Sequence, residues 1–133
     1  MRRCFSCWAQ ERENGLSGRA LCGNVLNTAR QELTRAWWEA RRHDFELLSS
    51  TVVVLEASAG DEEAAQRRLA LLRETLILEV TAEAVGLASD LVRTRSLSGK
   101  ASDDALHLAT AAAHGVDFLL TWNCKHLANA ELV

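Results

Sequence analysis

Proline is absent from all 133 residues, although average usage would place about six or seven in a chain of this length, and nothing in the pattern explains the gap. No apolar run approaches the roughly 18 residues that a membrane span requires. The opening stretch, Met1-Arg2-Arg3-Cys4-Phe5-Ser6-Cys7-Trp8-Ala9, is basic but lacks the apolar segment of a secretory signal. The expectation is a soluble, cytoplasmic protein with no membrane part. Apolar β-branched residues are scarce, nine Val and Ile77 against 21 Ala and 21 Leu, which favours helices with a few short strands. A large charge of either sign is missing too. Fifteen basic and 18 acidic residues give a net charge of −3, which excludes a protein that coats nucleic acid by bulk electrostatics.

What is present suits one compact domain: 48% apolar and 25% charged residues. Charge is divided unevenly, at +4 over residues 1–42 and −7 over residues 43–133, so a local polyanion contact stays open. Four Cys in a chain without an export signal are expected to be reduced thiols. Cys4-Phe5-Ser6-Cys7 is half of a zinc-ribbon spacing, but no second CxxC or HxxxH follows. A small zinc protein built on Cys4, Cys7 and Cys22 is set aside because a closed structural site takes four ligands.

Residues 1–27 differ from the rest. They hold Gly15, Gly18, Gly23 and three of the four Cys, with no sustained period of 2 or 3.6. From Thr28 the pattern is orderly. Thr28 is expected to cap a helix whose apolar face is Ala29, Leu33, Ala36, Trp37 and Ala40. Phe45 to Ser49 reads as a strand, and Ser50 caps a helix through Val53, Val54 and Ala57 that ends near Gly60. A charged helix from Asp61 to about Glu74 turns Ala65, Leu69 and Leu72 inward. Leu76 to Val80 is the next strand. Thr81 caps a helix with Ala84, Val85, Ala88, Leu91 and Val92 on one face, and Thr94 to Gly99 is a loop. Ser102 caps a helix from Asp103 to His114, closed by Gly115, and Phe118 to Thr121 is a buried-type strand. Alternating helices and strands with short links predict an α/β architecture with a parallel sheet.

In such a sheet, ligands gather at the carboxyl ends of the strands. Glu56, Asp104 and Asn123 fall near those ends. Two carboxylates and an amide oxygen are hard donors of the kind Mg²⁺ or Mn²⁺ prefers. Taken alone, Glu56 reads as part of a solvated helix face. Asp104 borders a buried face where a carboxylate needs a partner, whereas Asp103 sits on the solvent side of the helix start. His107, one turn along, reads as a packed, hydrogen-bonded histidine rather than a ligand. Thr121 and Asn123 also suit a turn. Arg93, Arg95, Lys100 and Lys125 flank the candidate site in sequence; they are either phosphate contacts or ordinary solvated charges. Trp122 is either a stacking surface for a base or a core side chain.

Three stretches together resemble a known family. They are Ser50-Thr51-Val52-Val53-Val54-Leu55-Glu56-Ala57, then Ser102-Asp103-Asp104-Ala105-Leu106-His107-Leu108-Ala109-Thr110-Ala111, then Asp117-Phe118-Leu119-Leu120-Thr121-Trp122-Asn123-Cys124-Lys125-His126-Leu127. In this order and spacing they are similar to the signatures of PIN-domain proteins, and nearest to the VapC-like toxins of type II toxin–antitoxin systems. The resemblance covers about Thr28 to Val133. It implies a three-layer α/β fold and a metal-dependent ribonuclease with an RNA substrate, an antitoxin partner and a homodimeric state. It also implies that Glu56, Asp104 and Asn123, with Thr121 beside them, hold Mg²⁺ or Mn²⁺.

The family begins with a central strand that bears the first metal-binding acid, in a pattern like Y-[LI]-[DE]-T. Nothing in residues 1–27 matches it, and Glu11 and Glu13 lie in a polar run. The expectation is therefore a PIN-like domain over residues 28–133 without its first strand. Residues 1–27 would be disordered or translated out of frame, and the chain incomplete at both ends. Cleavage would be weak for want of one carboxylate. The competing expectation is an inactive remnant that only binds an antitoxin or a second copy of itself.

Overall fold

The computed structural model describes residues 2–6, 20–95 and 100–121. Four strands, β1 (Arg2–Ser6), β2 (Phe45–Ser50), β3 (Leu76–Leu78) and β4 (Phe118–Leu120), form one sheet in the order β3-β2-β1-β4. Every pairing is parallel. Among the described residues five α-helices and a short 3-10 helix (Arg42–Asp44) connect them: α1 (Ala20–Arg41), α2 (Thr51–Ala57), α3 (Glu62–Leu72), α4 (Ala82–Arg95) and α5 (Lys100–Ala113). The expected α/β fold with a parallel sheet flanked by helices is the one observed. No described helix is long and apolar enough to cross a membrane.

One part of that expectation is overturned. The first strand is present: Arg2–Ser6 is β1, and it lies between β2 and β4. Its two Arg residues hide the strand from a hydrophobicity pattern, and both act as ties. The Arg3 backbone N–H donates to Asp117 Oδ2 at 2.7 Å, and the Asp117 N–H donates to the Arg3 carbonyl at 3.1 Å. The Arg3 guanidinium donates to the His114 carbonyl at 2.7 Å and lies 3.5 Å from Glu46. Arg2 lies over the Phe118 ring, 5.8 Å from its centroid. Cys4, which follows them, is buried in the sheet as a free thiol.

Local signals set the elements after β1. Ser50 caps α2, its hydroxyl accepting from the Val53 N–H at 3.4 Å. Asp61 caps α3 through the Ala64 N–H at 2.9 Å, and Thr81 accepts from the Ala84 N–H at 3.2 Å. Gly115, at φ 63°, ends α5 in the left-handed region that side chains avoid. The core under the sheet joins Leu48, Val53, Ala57, Leu72, Leu78 and Ala111, and each fully buried Leu or Val adds about 1.5–3 kcal/mol. A second cluster, Ala88, Ala105 and Ala109 with Leu91, Val92 and Leu106, packs α4 on α5. Small residues at its centre let the two helices approach closely.

Several boundaries and faces differ from expectation. Helix α1 begins at Ala20, so Thr28 is inside it rather than at its cap. Its predicted inner face is mostly outside: Ala29, Ala36 and Ala40 are exposed and Leu33 is 60% exposed. The reason is that this face meets the sheet at Trp37, stacked on Phe45 with centroids 5.8 Å apart, near the helix's C-terminal end. Phe45 in turn meets Phe118 edge to face at 5.9 Å. Val85 is half exposed on α4 rather than packed inward. Thr94 and Arg95 are helical, and the remainder of the predicted loop lies outside the described residues. Helix α5 begins at Lys100, which leaves Ser102 inside its first turn.

Candidate active site

The chain runs from β1 outward through β2 to β3, then returns to place β4 on the other flank of β1. That reversal puts the topological switch point between β1 and β4, where an open parallel sheet leaves a crevice at its carboxyl ends. β1 closes with Ser6, in register with Leu120, and Thr121 follows directly. Asn123, Lys125 and Trp122 lie outside the described residues.

The two predicted carboxylates come from helices beyond that edge. Ser50 starts α2 where β2 ends, and Val53 and Ala57 face the core. Glu56, beside Ala57, is thereby held half-buried, with its side chain 19% exposed. Helix α5 supplies the facing surface. Asp104, His107 and Thr110 recur every third residue on its buried side, at 4%, 1% and 0% exposure. Across the gap, His107 Nε2 lies 3.1 Å from Glu56 Oε1. A carboxylate only accepts, so the imidazole donates. Glu56 is thus held by a histidine of α5, and Asp104, 48 positions from Glu56 in the chain, lies one turn of that helix before the histidine.

The second oxygen, Glu56 Oε2, is buried without a hydrogen-bond partner among the described residues, and so is Thr110 Oγ1. A buried carboxylate oxygen without a donor carries a desolvation cost that a cation or an ordered water would relieve. In that respect the pair fits a hard divalent ion. In another respect the set is short. β1 carries no Asp or Glu over Arg2–Ser6, and no three His, Cys, Asp or Glu among the described residues are grouped to hold a metal.

Other predicted residues sort as follows. Asp103 is exposed in the first turn of α5, on the solvent side as expected. His107 is a buried, hydrogen-bonded histidine, and the hydrogen bond goes to the candidate site itself. Thr121 is half-buried just past β4. Arg93 is exposed and paired with Asp90 at 2.8 Å, which fits a solvated charge better than a phosphate clamp. Arg95 ends α4 and Lys100 begins α5. No sequence signal pointed to the Glu56–His107 contact, because its partners are 51 residues apart.

The PIN domain profile matches residues 24–128. A chain from a solved toxin–antitoxin complex of Klebsiella pneumoniae superposes with a TM-score of 0.60, covering 98% of this chain and 94% of that one at 20% identity. At that identity the likeness is one of fold. No curated protein matches the chain.

Proposed function

The chain belongs to the PIN domain family, and from that premise we propose that it is a divalent-metal-dependent ribonuclease of the VapC-like toxin kind. The observation that carries the reading is the meeting of α2 and α5 at Glu56 and His107, with Asp104 one turn away. Glu56 and Asp104 are the carboxylates that would hold Mg²⁺ or Mn²⁺. Asn123, in the segment after β4, is proposed as a third oxygen donor. When bound, such an ion acidifies a coordinated water and offsets charge on phosphoryl oxygens.

The chain's own residues do the rest. Asp104, buried on α5, holds its carboxyl group at a fixed place on the helix face that also carries His107. Glu56 adds a second charge on a short helix tied to α3, since Arg68 donates to the Ala57 and Ala59 carbonyls at 3.0 and 2.7 Å. Arg95, Lys100 and Lys125 are proposed to meet the RNA backbone, and Arg93 to remain with Asp90. An antitoxin partner, a homodimeric state and a cytoplasmic location belong to the same proposal; the solved neighbour is itself part of a toxin–antitoxin complex.

A second reading has its own observation. With no carboxylate on β1, two formal charges are left for a hard dication. A domain with that deficit suits a binding module for an antitoxin or a second copy. Incubation of labelled RNA with the purified chain in Mg²⁺, Mn²⁺ or chelator separates the two. The nuclease reading expects weak, metal-dependent cleavage that Asp104→Asn abolishes. Equal cleavage by wild type and Asp104→Asn would discard the site, and partner capture without any metal-dependent cleavage would favour the binding module.

A further inference from the structure

We propose that His107 is a positioning residue: it fixes the Glu56 carboxylate by one oxygen, Oε1, and so presents the other, Oε2, to the divalent cation. The inference rests on the metal-dependent reading above and adds to it a residue with a stated task.

The two partners differ in freedom. The imidazole of His107 is fully buried, with 0% of its side chain exposed, in a helix that is itself packed on α4. Its ring has two rotatable bonds and nowhere to swing. Glu56 has three, and it sits at the last turn of a seven-residue helix. The 3.1 Å contact therefore orders the glutamate more than the histidine. Because a carboxylate has no proton to give, Nε2 must carry the hydrogen. That hydrogen occupies Oε1 alone. Oε2 is left buried and without a donor among the described residues, the arrangement expected of an oxygen kept for a ligand. The spacing adds a second point: Asp104 and His107 are three residues apart on one face of α5, so one helix face both supplies a carboxylate and aims the other.

The test compares wild type, His107→Leu, which fills the space without a donor, and His107→Gln, which keeps an N–H. Mn²⁺ affinity is read by titration calorimetry, folding by thermal unfolding in chelator, and the ring proton by ¹⁵N NMR. Positioning predicts a proton on Nε2 and Mn²⁺ binding weakened about tenfold or more in His107→Leu, as for other groups that orient a metal ligand. The donor in His107→Gln should restore affinity to within about threefold of wild type. A folded His107→Leu that binds Mn²⁺ as wild type does overturns the positioning role and leaves the nuclease reading standing. Should the leucine variant not fold, the NMR signal decides: an Nε2 without a proton, or one unchanged in Glu56→Ala, overturns the inference. A wild-type chain that binds no Mn²⁺ defeats the metal reading and this inference with it, a result distinct from equal binding by the two proteins.

Discussion

Cys4 shows at the residue scale what a position in the middle of a sheet does to a reactive group. Burial between neighbouring strands disfavours its thiolate and raises its pKa above the usual thiol range. Alkylation of Cys4 should therefore be slow in the native protein and fast in denaturant, by mass spectrometry of iodoacetamide-treated samples. The linkage has a sign. Below the unfolded-state pKa both states keep the proton and stability is unaffected. As pH rises past about 8.5 the unfolded state loses its proton first, so stability falls by up to about 1.4 kcal/mol per pH unit. Urea midpoints between neutral and alkaline pH should show this loss in wild type and less of it in Cys4→Ala. Sequence reasoning expected Cys4 to be a reduced thiol and placed Asp104 at the edge of a buried face; Cys4 is a free thiol, and both are buried. It gave His107 a hydrogen bond but no partner. A partner 51 residues away leaves no mark on either local pattern.

Among the elements, those with local stop and start chemistry were legible: Ser50 and Thr81 sit at the caps expected of them, Asp61 caps the helix that was expected to begin with it, and Gly115 ends α5. The misreadings share a cause. β1 looked like no strand because its period is broken by two arginines whose value lies in ties to Asp117, His114 and Glu46. The start of α1 was set late because the residues before Thr28 carry no sustained helical period. The Ser50 cap has a consequence of its own. Its hydroxyl is fully buried and satisfies a donor at the start of the helix that carries Glu56. Ser50→Ala should cost about 1 kcal/mol. By thermal unfolding, the midpoint should fall by about 3–4 °C. RNA cleavage, where present, should fall further than the stability loss alone dictates, since the same cap helps to set the starting angle of the helix that carries Glu56.

For the whole molecule, strand order determines which residues matter. The order β3-β2-β1-β4 makes the carboxyl ends of β1 and β4 the walls of the crevice, although β1 is the strand the sequence concealed. Asn123 follows one wall in sequence. The other ends in Ser6, and that strand carries no Asp or Glu over Arg2–Ser6. A carboxylate at that strand end should supply the missing third charge. Ser6→Asp is expected to tighten Mn²⁺ binding and raise metal-dependent cleavage, measured by calorimetry and RNA turnover. An unchanged Mn²⁺ affinity in a folded Ser6→Asp protein would mean that the cation does not sit at the switch point.

The Arg3–Asp117 tie spans 114 positions, and that distance governs how the molecule comes into being. On the ribosome, the strand destined for the middle emerges well ahead of both its neighbours; β2 can cover one edge first, and the other stays bare until β4 has cleared the exit tunnel. Closure across so long a loop is slow. During that interval the nascent chain has a strand with one open edge, which exposes it to mispairing with other chains.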